Sequence, residues 1–196
     1  MQLLFDRINQ YLDSKDFVTV AIDGNAAAGK STLAAALNDI YSCNVIPMDH
    51  FFLRPDQRTP ERLSEPGGNI DYDSFIDHII TPLQTRESFV YYPYDCKLDK
   101  PGEPITVNPN KLTVIEGVYS MHPLFFDNFS LYDITVFLSI DETEQHRRLF
   151  LRNEHLYNRF INEWIPMENM FFDSFNIAEK CDFMFNGSCN YLTNIV

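Results

Sequence analysis

Apolar residues along the chain fall into short continuous runs that alternate with stretches of helical periodicity. The short runs are rich in β-branched and aromatic residues, which is typical of strands buried on both faces. They predict five strands, at 17–23, 44–48, 111–115, 134–140 and 181–185. Helical patterns lie between and beside them, at 31–37, 75–83, 142–161 and 167–180. Strands separated by helices indicate βαβ crossovers and therefore a mainly parallel sheet.

Two segments lie outside this alternation. The N-terminal segment spaces apolar residues as an amphipathic helix does, at Leu3, Leu4, Ile8, Tyr11 and Leu12. Proline and glycine gather between Pro93 and Pro109, after an apolar run at 89–92 that predicts an edge strand or a hairpin arm. This region predicts an irregular excursion beside the sheet, so we expect residues 1–196 to form one domain.

Charge and composition exclude several classes of protein. The net charge of −13 argues against a nucleic-acid partner, because a phosphate backbone demands a basic face. No apolar run approaches the roughly 20 residues that cross a bilayer, and the first residues do not resemble a signal peptide. We therefore expect a cytoplasmic protein with no membrane partner. The cysteines show no C-x-x-C pairing and are expected to be buried thiols, at Cys43, Cys96, Cys181 and Cys189.

A glycine-containing segment follows the first predicted strand. It fits the phosphate-binding pattern G-x-x-x-x-G-K-[ST] at every fixed position, and a helical pattern begins directly after it. Glycine lets backbone N–H groups converge on phosphate oxygens, and the helix N-terminus adds partial positive charge. Lys30 can reach the β- and γ-phosphates, and the Ser31 hydroxyl can ligate Mg²⁺. The predicted phosphate contacts are Gly24, Asn25, Ala26, Ala27, Ala28, Gly29, Lys30, Ser31 and Thr32.

Acidic residues follow two of the predicted strands. Ligands of parallel α/β sheets gather at the carboxyl ends of the strands, where Asp49 and Glu116 are expected to lie. Asp49 can accept a proton from a substrate hydroxyl, and Glu116 can support a metal ion. Each residue also has a structural alternative: Asp49 can cap a helix or turn, and Glu116 can be a surface acid at a strand end. Of Asp71 and Asp73, one can cap a helix while the other binds substrate hydroxyls.

Arginines cluster in two parts of the chain. Arg148 and Arg152 share a helix face after the fourth strand, and Arg159 follows them. These residues can clamp a moving phosphate, or they can form an ordinary solvated face. A second group recurs every four residues and favours a solvated surface over a basic strip at the cleft mouth: Arg54, Arg58 and Arg62.

Four blocks together resemble the uridine kinase and phosphoribulokinase family of P-loop kinases, and within it bacterial uridine kinase-like proteins. The blocks are 22–32, 48–52, 69–75 and 114–118, and the likeness extends to about residue 186. It implies a P-loop NTPase-type three-layer α/β sandwich with a mainly parallel five-stranded sheet and a short helical lid at approximately 147–166. It also implies ATP- and Mg²⁺-dependent transfer of the γ-phosphoryl group to a primary hydroxyl, with the 5′-hydroxyl of a nucleoside as the expected acceptor.

The resemblance implies a role for particular residues. Asp49 would be the general base, and Lys30, Arg152 and Arg159 would complete the catalytic set. Mg²⁺ would lie among Ser31, Asp49 and Glu116. The acceptor would be bound by Asp49, Phe52, Asp71, Tyr94, Glu116 and Arg148.

Departures from the family pattern affect the acceptor more than the chemistry. No histidine follows the Tyr94 block, and Asp99 falls near its place. Phe52 replaces a tyrosine, and the arginine pattern of the lid is short. Another acceptor, such as pantothenate or nicotinamide riboside, therefore stays open, as does a catalytically silent nucleotide-binding regulatory protein. A regulatory GTPase is disfavoured because N-K-x-D is absent, and the sequence leaves open both a homo-oligomer and the role of residues 187–196.

Overall fold

The computed structural model describes residues 1–96 and 98–188, and its centre is a parallel sheet. The five sheet strands are β1 Val18–Gly24, β2 Asn44–Pro47, β7 Leu112–Glu116, β8 Ile134–Ser139 and β9 Phe183–Asn186. Their order is β2-β7-β1-β8-β9, and every neighbouring pair is parallel. The predicted sheet is confirmed, with strand ends displaced by one or two residues.

Four shorter strands form two antiparallel ladders beside the sheet. They are β3 Phe89–Tyr91, β4 Tyr94–Asp95, β5 Lys100–Pro101 and β6 Ile105–Val107. β3 pairs with β6 and β4 pairs with β5, so the second ladder lies inside the loop of the first. The run at 89–92 is therefore a hairpin arm, and the proline-rich excursion is built around two nested ladders.

Helices cover both faces of the sheet. They are α1 Gln2–Ser14, α2 Lys30–Tyr41, α3 Pro60–Leu63, α4 Tyr72–Phe75, α5 Thr81–Thr85, α6 Pro123–Phe129, α7 Glu142–Arg152, α8 Tyr157–Arg159 and α9 Ile165–Phe175. Wide π-helical turns at Ile76–Ile80 and Phe160–Trp164 join α4 to α5 and α8 to α9. Short 3-10 turns lie at Met48–Phe51, Pro55–Gln57, Glu154–Leu156 and Ala178–Lys180. None of the helices in the described ranges is long and apolar enough to cross a membrane.

Two predicted helices have the wrong boundaries. The helix predicted at 142–161 ends at Arg152, because Asn153 has an extended backbone and its side chain accepts a hydrogen bond from the Leu156 N–H at 3.2 Å. The helix predicted at 167–180 begins earlier and ends at Phe175. Pro166 follows the wide π-helical turn at Phe160–Trp164, and the helical path continues through it into α9.

The sheet is the middle of three layers, with an apolar cluster on each face. Alternate β1 side chains, Val18, Val20 and Ile22, pack against α1 and α2. Leu4 and Ile8 are buried there, which confirms the N-terminal amphipathic helix, although Leu3 is exposed. The opposite cluster is built largely from aromatic residues: Phe51, Phe75, Phe125, Phe137 and Phe171.

The cysteines only partly follow the expectation of buried thiols. Cys43 is buried, and Cys181 is half-buried. Cys96 is exposed in the hairpin region, which corrects the sequence-based expectation for this residue. Cys189 lies outside the described residues.

Candidate active site

A glycine-bounded loop at the carboxyl end of β1 forms the base of the candidate active site. Gly24 has φ +132°, and a Cβ there would collide with the Leu138 backbone of β8. Gly29 has φ +102° and immediately precedes α2, which begins at Lys30. Both backbone conformations favour glycine, so the two fixed glycines of the motif set the curvature of the loop.

The Lys30 ammonium group lies across this loop. Its Nζ donates to the Gly24 carbonyl at 2.8 Å and to the Asn25 carbonyl at 2.9 Å. The residue is only 9% exposed. The positive charge is therefore held inside the curve where the motif predicts the phosphates to bind.

The first residues of α2 meet the end of β7. Ser31 Oγ donates to Glu116 Oε1 at 3.0 Å. Burial raises the pKa of Glu116, and the hydrogen bond from Ser31 and the charge of Lys30 oppose this rise. The two oxygen donors suit Mg²⁺, which prefers oxygen ligands and usually keeps several waters. Among residues 1–96 and 98–188 no set of three His, Cys, Asp or Glu side chains is arranged to hold a metal ion.

Asp49 lies at the same carboxyl end of the sheet as Glu116. It is exposed in the 3-10 turn that directly follows β2, and β2 is the neighbour of β7. The negative charge of Asp49 contributes to the raised pKa of Glu116 after the larger effect of burial, while Arg152 opposes it. The fold thus brings Asp49 and Arg152 within electrostatic range of Glu116.

Two of the predicted arginines have other partners in this structure. Arg148 donates to the Ala27 carbonyl at 3.1 Å and to the Gly187 carbonyl at 2.8 Å. Arg159 donates to Glu163 at 3.1 Å, and its guanidinium group lies 4.7 Å from the centroid of the Trp164 ring. Arg148 therefore contacts the phosphate loop itself, and Arg159 lies against its own helical segment.

The predicted acceptor side is joined to the Asp49 turn by backbone hydrogen bonds. The Asp71 N–H donates to the Phe51 carbonyl at 2.7 Å, and Phe52 forms an isolated bridge with Ile70. The Asp71 carboxylate caps α4 by accepting from the Ser74 N–H at 3.1 Å. Its other oxygen accepts from Gln57 Nε2 at 2.9 Å. Asp71 is therefore the helix cap, while Asp73 is exposed in the first turn.

Tyr94 and the arginines after Asp49 are engaged with nearby groups. The Tyr94 hydroxyl donates to Asp99, and this hydrogen bond raises the pKa of Tyr94 to about 12. Arg58 Nε donates to a backbone carbonyl at 2.8 Å. Arg62 pairs with a neighbouring carboxylate at 2.6 Å and lies over the ring of Tyr72. Local contacts thus engage Arg58 and Arg62, two residues of the group whose spacing favours a solvated surface over a basic strip.

Sequence reasoning missed three buried polar residues next to the loop. Asp23 is fully buried and accepts from the N–H groups of Gly24 at 2.7 Å and Met121 at 2.9 Å. Burial raises the pKa of Asp23 to about 6. Its only signal in the sequence is an acid inside an otherwise apolar strand run.

The other two missed residues are Gln145 and Glu168, and both contact Ala26. Glu168 Oε2 accepts from the Ala26 N–H at 2.9 Å, and Gln145 Nε2 donates to the Ala26 carbonyl at 3.1 Å. Burial raises the pKa of Glu168 to about 7, and Lys30 opposes the rise. Both residues lie in helical patterns far along the chain, so nothing in the sequence connects them with the loop.

Comparisons with known proteins place this site in a known fold. The chain is 27% identical over 169 residues to a Schizosaccharomyces pombe protein named "Putative uridine kinase", covering 76% of this chain and 72% of that protein. No family model matches the chain. A Bacillus stearothermophilus structure described as "a Possible Uridine Kinase" aligns with TM-score 0.65 at 18% identity, over 94% of this chain and all of that chain.

A second solved structure is equally similar in fold. D-glycerate 3-kinase from Cryptococcus neoformans aligns with TM-score 0.66 at 14% identity, over 93% of this chain and 92% of that chain. The chain therefore has the fold of the P-loop kinases. Within that class, its sequence and structure resemble uridine kinase-like proteins, as the four motif blocks predict.

Proposed function

We propose that this protein is an ATP- and Mg²⁺-dependent kinase that transfers the γ-phosphoryl group to a primary hydroxyl of a small molecule. The observation that carries the proposal is the contact between Ser31 and Glu116 at 3.0 Å, beside the buried Lys30. It joins the phosphate loop to a carboxylate at the end of the neighbouring strand. Phosphoryl transfer depends mainly on such positioning and on charge stabilisation.

Each proposed role uses a group at or near the carboxyl end of the sheet. Lys30 would bind the phosphates by exchanging two carbonyl partners for phosphate oxygens. It would act with loop N–H groups other than those of Gly24, Asn25, Ala26 and Ala28, which donate within the protein. Asp49 is exposed and can approach an acceptor hydroxyl, orient it and take its proton. Arg152 would balance charge that develops near Glu116.

Ser31 and Glu116 would hold Mg²⁺, and Asp49 would reach it through water. When bound, the ion supplies charge neutralisation at the β- and γ-phosphate oxygens. The lid would span approximately residues 147–166, where Arg159 is exposed at the surface. Its proposed task is to exclude water, which would otherwise accept the phosphoryl group.

The expected acceptor is the 5′-hydroxyl of a nucleoside. One support is the likeness to a protein named as a uridine kinase. The other is the position of Asp71, whose backbone N–H is hydrogen-bonded to Phe51 in the turn that contains Asp49. A sugar hydroxyl could take the place of the Gln57 amide at Asp71, since each donates one hydrogen bond. Acceptors such as pantothenate and nicotinamide riboside are the alternatives, because the residues around Tyr94 depart from the family pattern.

An acceptor screen tests the proposal. The protein is incubated with ATP, Mg²⁺ and pools of nucleosides and vitamin precursors, and phosphorylated products are detected by mass spectrometry. We expect one product to accumulate in step with ADP, and we expect none from a Lys30→Met control. If ATP binds but no acceptor stimulates ADP release, the catalytically silent regulatory protein becomes the better interpretation.

A further inference from the structure

Ala26 is held through both its backbone N–H and its carbonyl by side chains that the proposed chemistry does not use. Glu168 accepts from its N–H at 2.9 Å, and Gln145 donates to its carbonyl at 3.1 Å. Glu168 is 6% exposed and Gln145 is 5% exposed. A buried polar side chain without a hydrogen-bond partner is costly, so loss of either contact with Ala26 would be unfavourable. We call Gln145 and Glu168 the Ala26 clamp.

The clamp acts on a strained part of the loop. The next residue, Ala27, has φ +61°, a left-handed conformation that disfavours any residue with a Cβ. Arg148 holds the Ala27 carbonyl at 3.1 Å. Three side chains therefore fix three successive peptide groups of the phosphate loop, those that join residues 25 to 28. Strained backbone persists where the surroundings over-determine it in this way.

The clamp residues also lie on either side of one chain segment. Gln145 belongs to α7, which ends at Arg152, and Glu168 belongs to α9, which begins at Ile165. The segment between these helices, 153–164, contains Arg159. The helices on the two sides of this segment are thus connected to the same loop residue, Ala26.

The negative charge of Glu168 is not what makes it useful at this position. Charged groups that face it are Lys30 from α2, Asp23 from β1 and Asp49 from the turn after β2. An ionised carboxylate here would oppose incoming phosphate oxygens. The useful property is the hydrogen-bond acceptor that orients the Ala26 N–H.

We propose that Gln145 and Glu168 are positioning residues that preorganise the phosphate loop and couple phosphate binding there to the placement of segment 153–164. This inference rests on the proposed function, because it requires that the loop bind ATP. It adds a mechanism by which the loop and the lid respond to the same ligand. A preorganised loop avoids the cost of ordering upon binding.

Two substitutions of similar size and without charge isolate the hydrogen bond. Glu168→Gln keeps an acceptor for the Ala26 N–H, whereas Glu168→Met removes it. ATP affinity is measured by calorimetry, and the lid is followed by the fluorescence of Trp164, the one tryptophan in the sequence. We expect the Gln variant to bind ATP at least as tightly as the wild type, and the Met variant about tenfold or more weakly than the Gln variant.

The fluorescence and a second clamp variant provide independent readouts. ATP should change Trp164 fluorescence in the wild type and in Glu168→Gln, but much less in Glu168→Met. Gln145→Met should weaken ATP binding in the same way, and it decides the matter if Glu168→Met does not fold. The double Met variant should lose less affinity than the product of the single losses, because both residues act on the two peptide groups that flank one Cα, that of Ala26.

The outcomes separate this inference from the proposed function. Equal affinity and equal fluorescence changes in Glu168→Gln and Glu168→Met would overturn the clamp. So would a wild type that binds ATP without any change in Trp164 fluorescence. A wild type that fails to bind ATP at all would instead defeat the proposed function.

Discussion

Replacing Asp49 with asparagine separates the proposed base from the rest of the site. The substitution keeps shape and removes the group that would take the proton, so kcat should fall by about 10²–10⁴-fold. Because Asp49 is exposed, the free energy of unfolding should change by no more than about 0.5 kcal/mol. Loss of its charge also lowers the pKa of Glu116, which keeps the proposed metal ligand ionised. ATP affinity should therefore be unchanged or slightly tighter.

The measurements are kcat and KM for each substrate, ATP affinity by calorimetry, and unfolding by denaturant. Asp13→Asn is a matched control, since Asp13 is also exposed but lies at the end of α1 behind the opposite face of the sheet. The control should behave as the wild type in every assay. Near-normal turnover in Asp49→Asn would remove Asp49 from the base role. A loss of ATP binding would show that its charge serves the metal instead.

Three further predictions concern the fold and the cleft. Gly24→Ala should lower the free energy of unfolding by about 2–5 kcal/mol, because of strain at φ +132° and collision of the new Cβ with the Leu138 backbone. An unchanged denaturation midpoint would contradict the loop conformation described at Gly24. Burial lowers the pKa of His122 from 6.5 to about 4. Between pH 6.5 and 4, His122 is therefore protonated in the unfolded chain but largely neutral in the folded protein. The free energy of unfolding should fall by about 3 kcal/mol as the pH drops through this range. The pKa values of Asp23 and Glu168 are raised in the folded protein, so these residues stabilise it as the pH falls and oppose the effect of His122. The contribution of His122 is therefore measured as the difference in unfolding free energy between the wild type and His122→Asn, which keeps an acceptor to cap α6. Iodoacetamide should label exposed Cys96 and spare Cys43, whose pKa burial raises to about 11; peptide mapping that finds both labelled would refute this.

The parts of the site that the sequence predicts are those linked to local pattern. The phosphate loop is recognisable because its strand, glycines and helix are contiguous. Asp49 and Glu116 are expected together because parallel strands end at one edge, and the order of β2, β7 and β1 makes them neighbours. The functional roles of these residues remain predictions for the experiments above.

The parts that the sequence does not predict depend on distant contacts. Glu168 and Ala26 are 142 residues apart, and Gln145 and Ala26 are 119 apart. Such pairs have no periodicity or spacing that could reveal them. The continuous helical path through Phe160–Trp164 into α9 was missed for another reason. Pro166 signals a helix boundary, yet the chain stays helical through it, and the wide π-helical turn Phe160–Trp164 directly precedes α9.

The two acids at the strand ends have opposite environments, and this difference divides their proposed tasks. Glu116 is 7% exposed and already accepts a hydrogen bond from Ser31, so its position is fixed and suits a ligand. Asp49 is exposed in the turn after β2, so it can approach a substrate that arrives from solvent. Asp71, which is hydrogen-bonded to this turn at Phe51, is engaged by Gln57 at 2.9 Å. In the proposed function, an acceptor hydroxyl would bind Asp71 beside Gln57 or in its place, since each carboxylate oxygen has two lone pairs and accepts one hydrogen bond in this structure.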